Sequence, residues 1–251
     1  MFKYFRILLG IYLTYHFIDL IPYADELFGN KMPYDPSLGP TYNSFPNVFS
    51  MMDPILVLVI LSVASFLFTA GIYHQVCSLI MWYGWACILN RNVLLYNPGI
   101  PYVGWALLAC SLIQPKAKKI PKEIFWYAWF LMGVGYTISG LHKLDCPSWI
   151  DGTALIHILN GPLARDNFIR DLMMSLPPIF LKLATWFSLG LEIAFLPLGM
   201  FQYTRMWLWL AYMAFHVGIL TMINFTDLTI GVMIIHLFTF ESKWLDKLRS
   251  N

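Results

Sequence analysis

Charge is what this chain has least of. Asp, Glu, Lys and Arg together make up 12% of its 251 residues, about half the share found in soluble globular domains. That shortage argues against a soluble domain, and 59% hydrophobic residues with a mean hydropathy of +0.62 point to a bilayer instead. Cysteine is also scarce. Of the four cysteines, Cys77, Cys87 and Cys110 fall in apolar segments and only Cys146 in a loop, so neither a disulfide framework nor a redox pair is expected. No His, Cys and acid spacing of the zinc, haem or iron–sulfur kind occurs, and no metal is expected. A nucleotide-binding glycine loop and a Ser-His-Asp motif are likewise missing. No linker, repeat or low-complexity stretch divides the chain, which reads as one transmembrane domain over 1–251. The first apolar stretch sits behind Lys3 and Arg6 without a small-residue cleavage site, so it is expected to remain as a helix.

What the chain does have is a series of apolar segments: 5–21, 54–72, 76–95, 100–114, 124–143, 178–201, 205–224 and 228–240. The expected fold is all-α, a polytopic membrane helix bundle with about eight spans, of which the fourth and eighth are short enough to be tilted, half-length or re-entrant. Ten of the sixteen basic residues (Lys3, Arg6, Lys116, Lys118, Lys119, Lys122, Arg205, Lys243, Lys247 and Arg249) fall on one side if the spans alternate. Positive charge marks the cytoplasmic side, so both termini are expected inside, in a plasma or inner membrane if the source is bacterial. The Lys116–Lys119 cluster reads as a topological anchor, not a nucleic-acid site. Two long segments then lie outside. One, about 22–53, is rich in Pro and aromatic residues and reads as an irregular loop on the membrane surface. The other, 144–177, is expected to hold two short interfacial helices, 152–159 and 165–176, the second amphipathic.

The polar chemistry begins where the fifth segment stops. Residues 124–141 carry no charge, and Lys143 arrives at the end of that span with Tyr136, Ser139 and Gly140 on its face. Two readings stand open: a lysine snorkelling to the headgroups, or one turned inward to act as a base or to hold a substrate. Asn90, Arg91 and Asn92 end the third segment, where the guanidinium either holds a substrate oxygen or snorkels. His16 and Asp19 share a face of the first helix, with Asp19 a counterion for Lys143 or Arg91, or simply a partner of His16. Glu192 and His216 sit at matching depths of the sixth and seventh segments if these are antiparallel, where they form either a structural clasp or a proton relay. His74, His157 and His236 have no partner visible in the sequence.

The order Ser139-Gly140-Leu141-His142-Lys143-Leu144-Asp145, followed by Trp149 and Asp151-Gly152, resembles a segment of the vitamin K-dependent γ-glutamyl carboxylase. The wider family is the horizontally transferred transmembrane (HTTM) domain. Arg6 matches its opening arginine, and Leu89-Asn90-Arg91-Asn92 with Asn97 is similar to its Arg-Asn signature. Glu192 before Pro197, and Ala214-Phe215-His216 before Gly218 and the corner 224–227, resemble further family features. The resemblance implies a cavity on the outer side that binds reduced vitamin K or another quinone, with Lys143 in neutral form as the base and Asn90 and Asn92 at the catalytic centre. The deprotonated hydroquinone would react with oxygen to give a strong base. Arg91, His142, Trp149, Asp19, His16, Glu192 and His216 are then expected to contact substrate or cofactor.

Two departures count against carboxylation of peptide glutamate. Asn92 stands where the carboxylase has a His, and the chain ends at Asn251, short of the region that binds the peptide substrate there. The expected function is therefore a membrane enzyme of HTTM type, an oxidoreductase or lyase acting on a quinone or other lipid-soluble substrate, alone or with a partner protein that supplies a soluble domain. Maturation of a peptide, as by standalone family members that mature sporulation-delaying toxins, is one alternative. A non-enzymatic transporter, lipid-binding protein or assembly factor is another. No nucleic-acid partner is expected, and the bilayer itself is.

Overall fold

The computed structural model describes residues 2–29, 31, 32, 35, 45–97, 99–115, 117, 119–224, 226–241, 243 and 244, with backbone alone for 226–228. Lys116, Lys118, Lys247 and Arg249 of the expected inner charge, and the middle of the Pro-rich 22–53 segment, lie outside these residues. The described chain is helical. Its one element of β-structure is an isolated bridge between Ala164 and Ile223.

Each of the eight apolar segments forms a helix: α1 (Phe2–Leu20), α3 (Pro54–Ala70), α4 (His74–Arg91), α5 (Gly99–Leu112), α6 (Lys122–Lys143), α10 (Pro178–Gly199), α11 (Gln202–Met222) and α12 (Thr226–Phe238). Four shorter helices lie between them: α2 (Ala24–Phe28), α7 (Pro147–Ile150), α8 (Ala154–Asn160) and α9 (Phe168–Ser175). Among the described residues, three stretches are long and apolar enough to cross a membrane: Phe2–Phe28, Lys122–Lys143 and Pro178–Gly199. At 14 and 13 residues, α5 and α12 rise only ~20 Å, short of a hydrocarbon core of about 30 Å. Helix starts follow ordinary capping chemistry: Asp53 accepts from Leu56 N–H ahead of Pro54, and Asn167 accepts from Arg170 N–H to begin α9.

The chain divides into two compact units, 1–121 and 122–251. In the first, α1 packs on α3, α3 on α4 and α4 on α5. Hydroxyls serve as the polar contacts of that stack, with Thr14 Oγ1 lying 2.7 Å from Gly10 O and 2.9 Å from Ser65 Oγ. Helix α3 ends on Gly71 in the left-handed region, φ 86°, the usual glycine cap.

In the second unit, α10 is the central helix, with α6, α7, α8, α9 and α11 packed against it and α12 against α11. Short helices overlap the two stretches where interfacial helices are expected, at 154–160 and 168–175. Polar side chains knit the segment together: Arg170 donates to Leu159 O at 2.8 Å, Arg165 to Ile223 O at 3.1 Å, and Asn167 to Thr221 O at 2.7 Å. Lost carbonyl partners at the ends of α8 and α11 are thus replaced by side chains.

Small residues bring α6 and α10 together. A Cβ at Gly140 would lie 2.8 Å from Ile193 N and 3.0 Å from Glu192 Cβ, and one at Gly133 would lie 2.8 Å from Leu196 Cδ1. Between the two glycines, Thr137 enters the backbone ladder of α10. Pro197 has no N–H to offer Ile193 O, and Thr137 Oγ1 lies 3.3 Å from both Ile193 O and Glu192 O while accepting from Leu196 N–H at 3.2 Å. One hydroxyl thereby patches the break that proline makes in a helix. Gly140→Leu is expected to force the helices apart beside Glu192 and to lower stability by about 1–3 kcal/mol. Thermal unfolding of the purified chain in detergent, compared with an exposed control such as Leu141→Ala, measures this.

Candidate functional site

Lys143 ends α6, where the carbonyl end of the helix favours a cation. Its side chain turns inward. Nζ donates to both oxygens of Glu192, with Oε2 at 2.5 Å, and stands 4.6 Å from the centroid of the Trp149 ring. The Glu192 side chain is 6% exposed and that of Lys143 24%, so the carboxylate is buried and the lysine is partly exposed. Each feature has a sequence origin. Gly140 admits Glu192 to the seam, Thr137 and Pro197 shape α10 one turn beyond it, and Cys146-Pro147 turns the chain so that α7 lays Trp149 over Nζ. The indole face adds a cation–π contact worth about 0.5–2 kcal/mol.

The loop below is held by local bonds. Asp151 Oδ1 accepts from the Thr153 hydroxyl at 2.6 Å and from its N–H at 2.8 Å. The Thr153 hydroxyl, then its N–H, hold the exposed Asp151 carboxyl below the ordinary carboxylate range. Between them Gly152 takes φ 81°, and a Cβ there would meet Lys182 and Trp186 at 3.0 Å. The Asp151-Gly152 pair is therefore a turn that seats α7 and α8 on α10, helped by Trp186 Nε1 donating to Ile150 O at 3.0 Å.

One expectation is corrected. Glu192 and His216, expected to bond to each other at matching depth, do not: Glu192 holds Lys143, while His216 Nε2 lies 2.6 Å from the hydroxyl of Tyr136. The same hydroxyl lies 2.9 Å from Nε2 of His236, a residue with no partner visible in the sequence. The physical reason lies in α6. It runs beside α10 and delivers Tyr136 and Lys143, seven residues apart on one face, to the two positions in turn. Only a pattern linking Tyr136 to both histidines would have shown this, and these partners are 80 and 100 residues away. His142, at the last turn of α6, is exposed.

No family model, curated protein or solved structure matches this chain.

In the first unit the polar residues fasten backbone. Asn90 Oδ1 accepts from Asn47 Nδ2 at 2.8 Å, Arg91 Nε donates to Phe28 O at 2.9 Å, and Asn92 Nδ2 donates to Leu27 O at 3.0 Å. Asn92 Oδ1 also accepts from Leu94 N–H, capping the short turn 93–95. Asn90 and Asn92 are buried, and with Arg91 they tie the end of α4 to α2 and to the 45–50 segment. His16 rests on the Trp85 ring, centroids 4.9 Å apart, and Asp19 is exposed. His74 Nε2 lies 3.1 Å from Ile113 O at the end of α5. Among the described residues no group of three or more His, Cys, Asp or Glu is placed to hold a metal ion.

The Lys143–Glu192 pair joins opposite charges across the contact of α6 with α10. Removing one member of such a pair strands the other in a poorly solvated site. Lys143→Met is therefore expected to lower stability by about 3 kcal/mol, and adding Glu192→Leu is expected to recover most of that loss. Thermal melts of the two single variants and the double variant measure the coupling.

Proposed function

We propose that the chain is a multi-pass membrane protein of HTTM type, and that its second unit acts on a quinone or another lipid-soluble substrate by proton transfer at Lys143. The single observation behind this reading is the inward Lys143, paired with a buried carboxylate and covered by an indole. A snorkelling anchor needs no such partner. Passage of one proton from Nζ to Glu192 leaves a neutral amine beside a carboxylic acid. The amine then takes the proton of a substrate hydroxyl, which becomes an oxyanion next to the restored ammonium. Trp149 supplies an apolar face of the kind a flat ring stacks on. A reduced quinone would supply the acidic hydroxyl, and the resemblance to the vitamin K-dependent carboxylase segment assigns Lys143 the same role. Of the family's other positions, Arg91 and Asn92 bond to backbone carbonyls and Asn90 to the Asn47 side chain, which supports a reaction narrower than carboxylation.

Eight crossings, both termini on the cytoplasmic side, and the 144–177 helices lying at the outer interface complete the proposal. It draws on the eight apolar helices and on the amphipathic, arginine-tied character of α9.

A second reading has an observation of its own. Nζ engages both Glu192 oxygens, and a closed pair of that kind also suits a clasp between α6 and α10 in a non-enzymatic carrier or assembly protein. The two separate by kinetics. With reduced menaquinone or vitamin K in lipid nanodiscs, oxygen-dependent quinol turnover is expected to fall by about two orders of magnitude or more in Lys143→Met/Glu192→Leu, whose fold is retained. Turnover equal to that of the unaltered chain would leave the clasp.

A further inference from the structure

Two turns back along the same face of α6 as Lys143, Tyr136 carries a group that the ammonium chemistry does not use. Its hydroxyl lies between His216 Nε2 on α11, at 2.6 Å, and His236 Nε2 on α12, at 2.9 Å. Aromatic rings wall this centre: Phe195 stacks on Tyr136 with centroids 4.9 Å apart, and the Tyr212 ring lies 4.3 Å from Tyr136 and 5.6 Å from His236. His236 is fully buried and His216 is 6% exposed. Among the described residues, neither buried Nδ1 has a hydrogen-bond partner. Two orphan ring nitrogens at one centre are unusual, because each unmade bond in an apolar site is costly.

The chemistry of the three groups gives these nitrogens a use. A phenol donates one proton and accepts others, and a neutral imidazole has one N–H and one bare nitrogen. The three satisfy one another when Tyr136 donates to one Nε2 and accepts from the other. That places the two imidazoles in opposite tautomers, with a proton on one Nδ1 and a lone pair on the other. The path Nδ1, Nε2, Oη, Nε2, Nδ1 is then continuous. A proton arriving at the bare Nδ1 makes that ring an imidazolium, whose Nε2 proton passes to Oη. The proton of Oη passes to the second Nε2, and the second ring releases its Nδ1 proton. One proton enters and one leaves, no net charge stays behind, and both tautomers are reversed.

We propose that Tyr136, His216 and His236 form a proton relay through the core of the second unit, its two Nδ1 atoms exchanging protons with hydroxyl groups, a phenolic or enolic one on the substrate and water. The proposal rests on the reading of this unit as a proton-transfer site. It assigns to His236 and Tyr136 a role as relay residues.

The test uses the full chain in nanodiscs with ¹⁵N-labelled histidine, signals being assigned with His216→Gln and His236→Gln. Solid-state NMR is expected to find one ring protonated at Nδ1 and the other at Nε2. Tyr136→Phe, which keeps a ring against Phe195, is expected to abolish that opposition and to slow hydrogen–deuterium exchange of both imidazoles by about two orders of magnitude, the scale of a lost acid–base group. Should that variant fail to accumulate, fluorotyrosine incorporation makes the phenol more acidic and is expected to move both Nε2 signals together. The same tautomer in both rings, unchanged exchange in Tyr136→Phe, or a fluorotyrosine response confined to one ring overturns the relay. Failure of quinol turnover in the unaltered chain would remove the enzymatic reading while leaving the tautomer result intact, so the two fail separately.

Discussion

An ammonium and a carboxylate set among apolar helices must meet each other or stay with water, and that constraint organises the second unit. Lys143 at the end of α6 and Glu192 within α10 come together because the helices approach closely enough at Gly140 for the carboxylate to sit under the last turn of α6. Neither charge would be stable in its place without the other. The neighbouring features follow from holding this pair: Thr137 mends α10 near Pro197, and the turn at Asp151-Gly152 brings α7 back so that Trp149 covers the nitrogen.

The same seam sets out two kinds of polar group at different levels. At the α6 terminus the pair is charged and partly reached from outside. Seven residues earlier, half-buried Tyr136 and two buried histidines make a cluster lined by aromatic rings. A neutral cluster is the one that can sit deep in an apolar core without counterions, while a charged pair keeps to the end where solvent or headgroups help.

The first unit uses its polar residues differently. Asn47, Asn90, Arg91 and Asn92 bond mostly to backbone carbonyls and to each other, fixing α2 and the 45–50 segment to the end of α4. Burial of amides in such a role is ordinary, since exposed carbonyls at helix ends must find donors. A signature that reads as catalytic in the sequence can thus be occupied by architecture.

Periodicity and composition made the helices legible. Apolar segments with few charges become helices wherever backbone groups must be satisfied within the segment, so all eight were readable from residue type alone. The inward potential of Lys143 was visible too, as a charge at the end of an uncharged span, but its direction was not. Partner choice depended on tertiary structure because the residues involved are distant in the chain: Lys143 and Glu192 are 49 apart, Tyr136 and His216 80, and Tyr136 and His236 100. Matching depth alone paired Glu192 with His216. The packing of α6 against α10 inserted Tyr136 and Lys143 between them and gave each a different partner. Sequence determined which groups need a partner, because desolvation is a property of residue type. Folding decided which group meets which, because that depends on how closely two helices can approach.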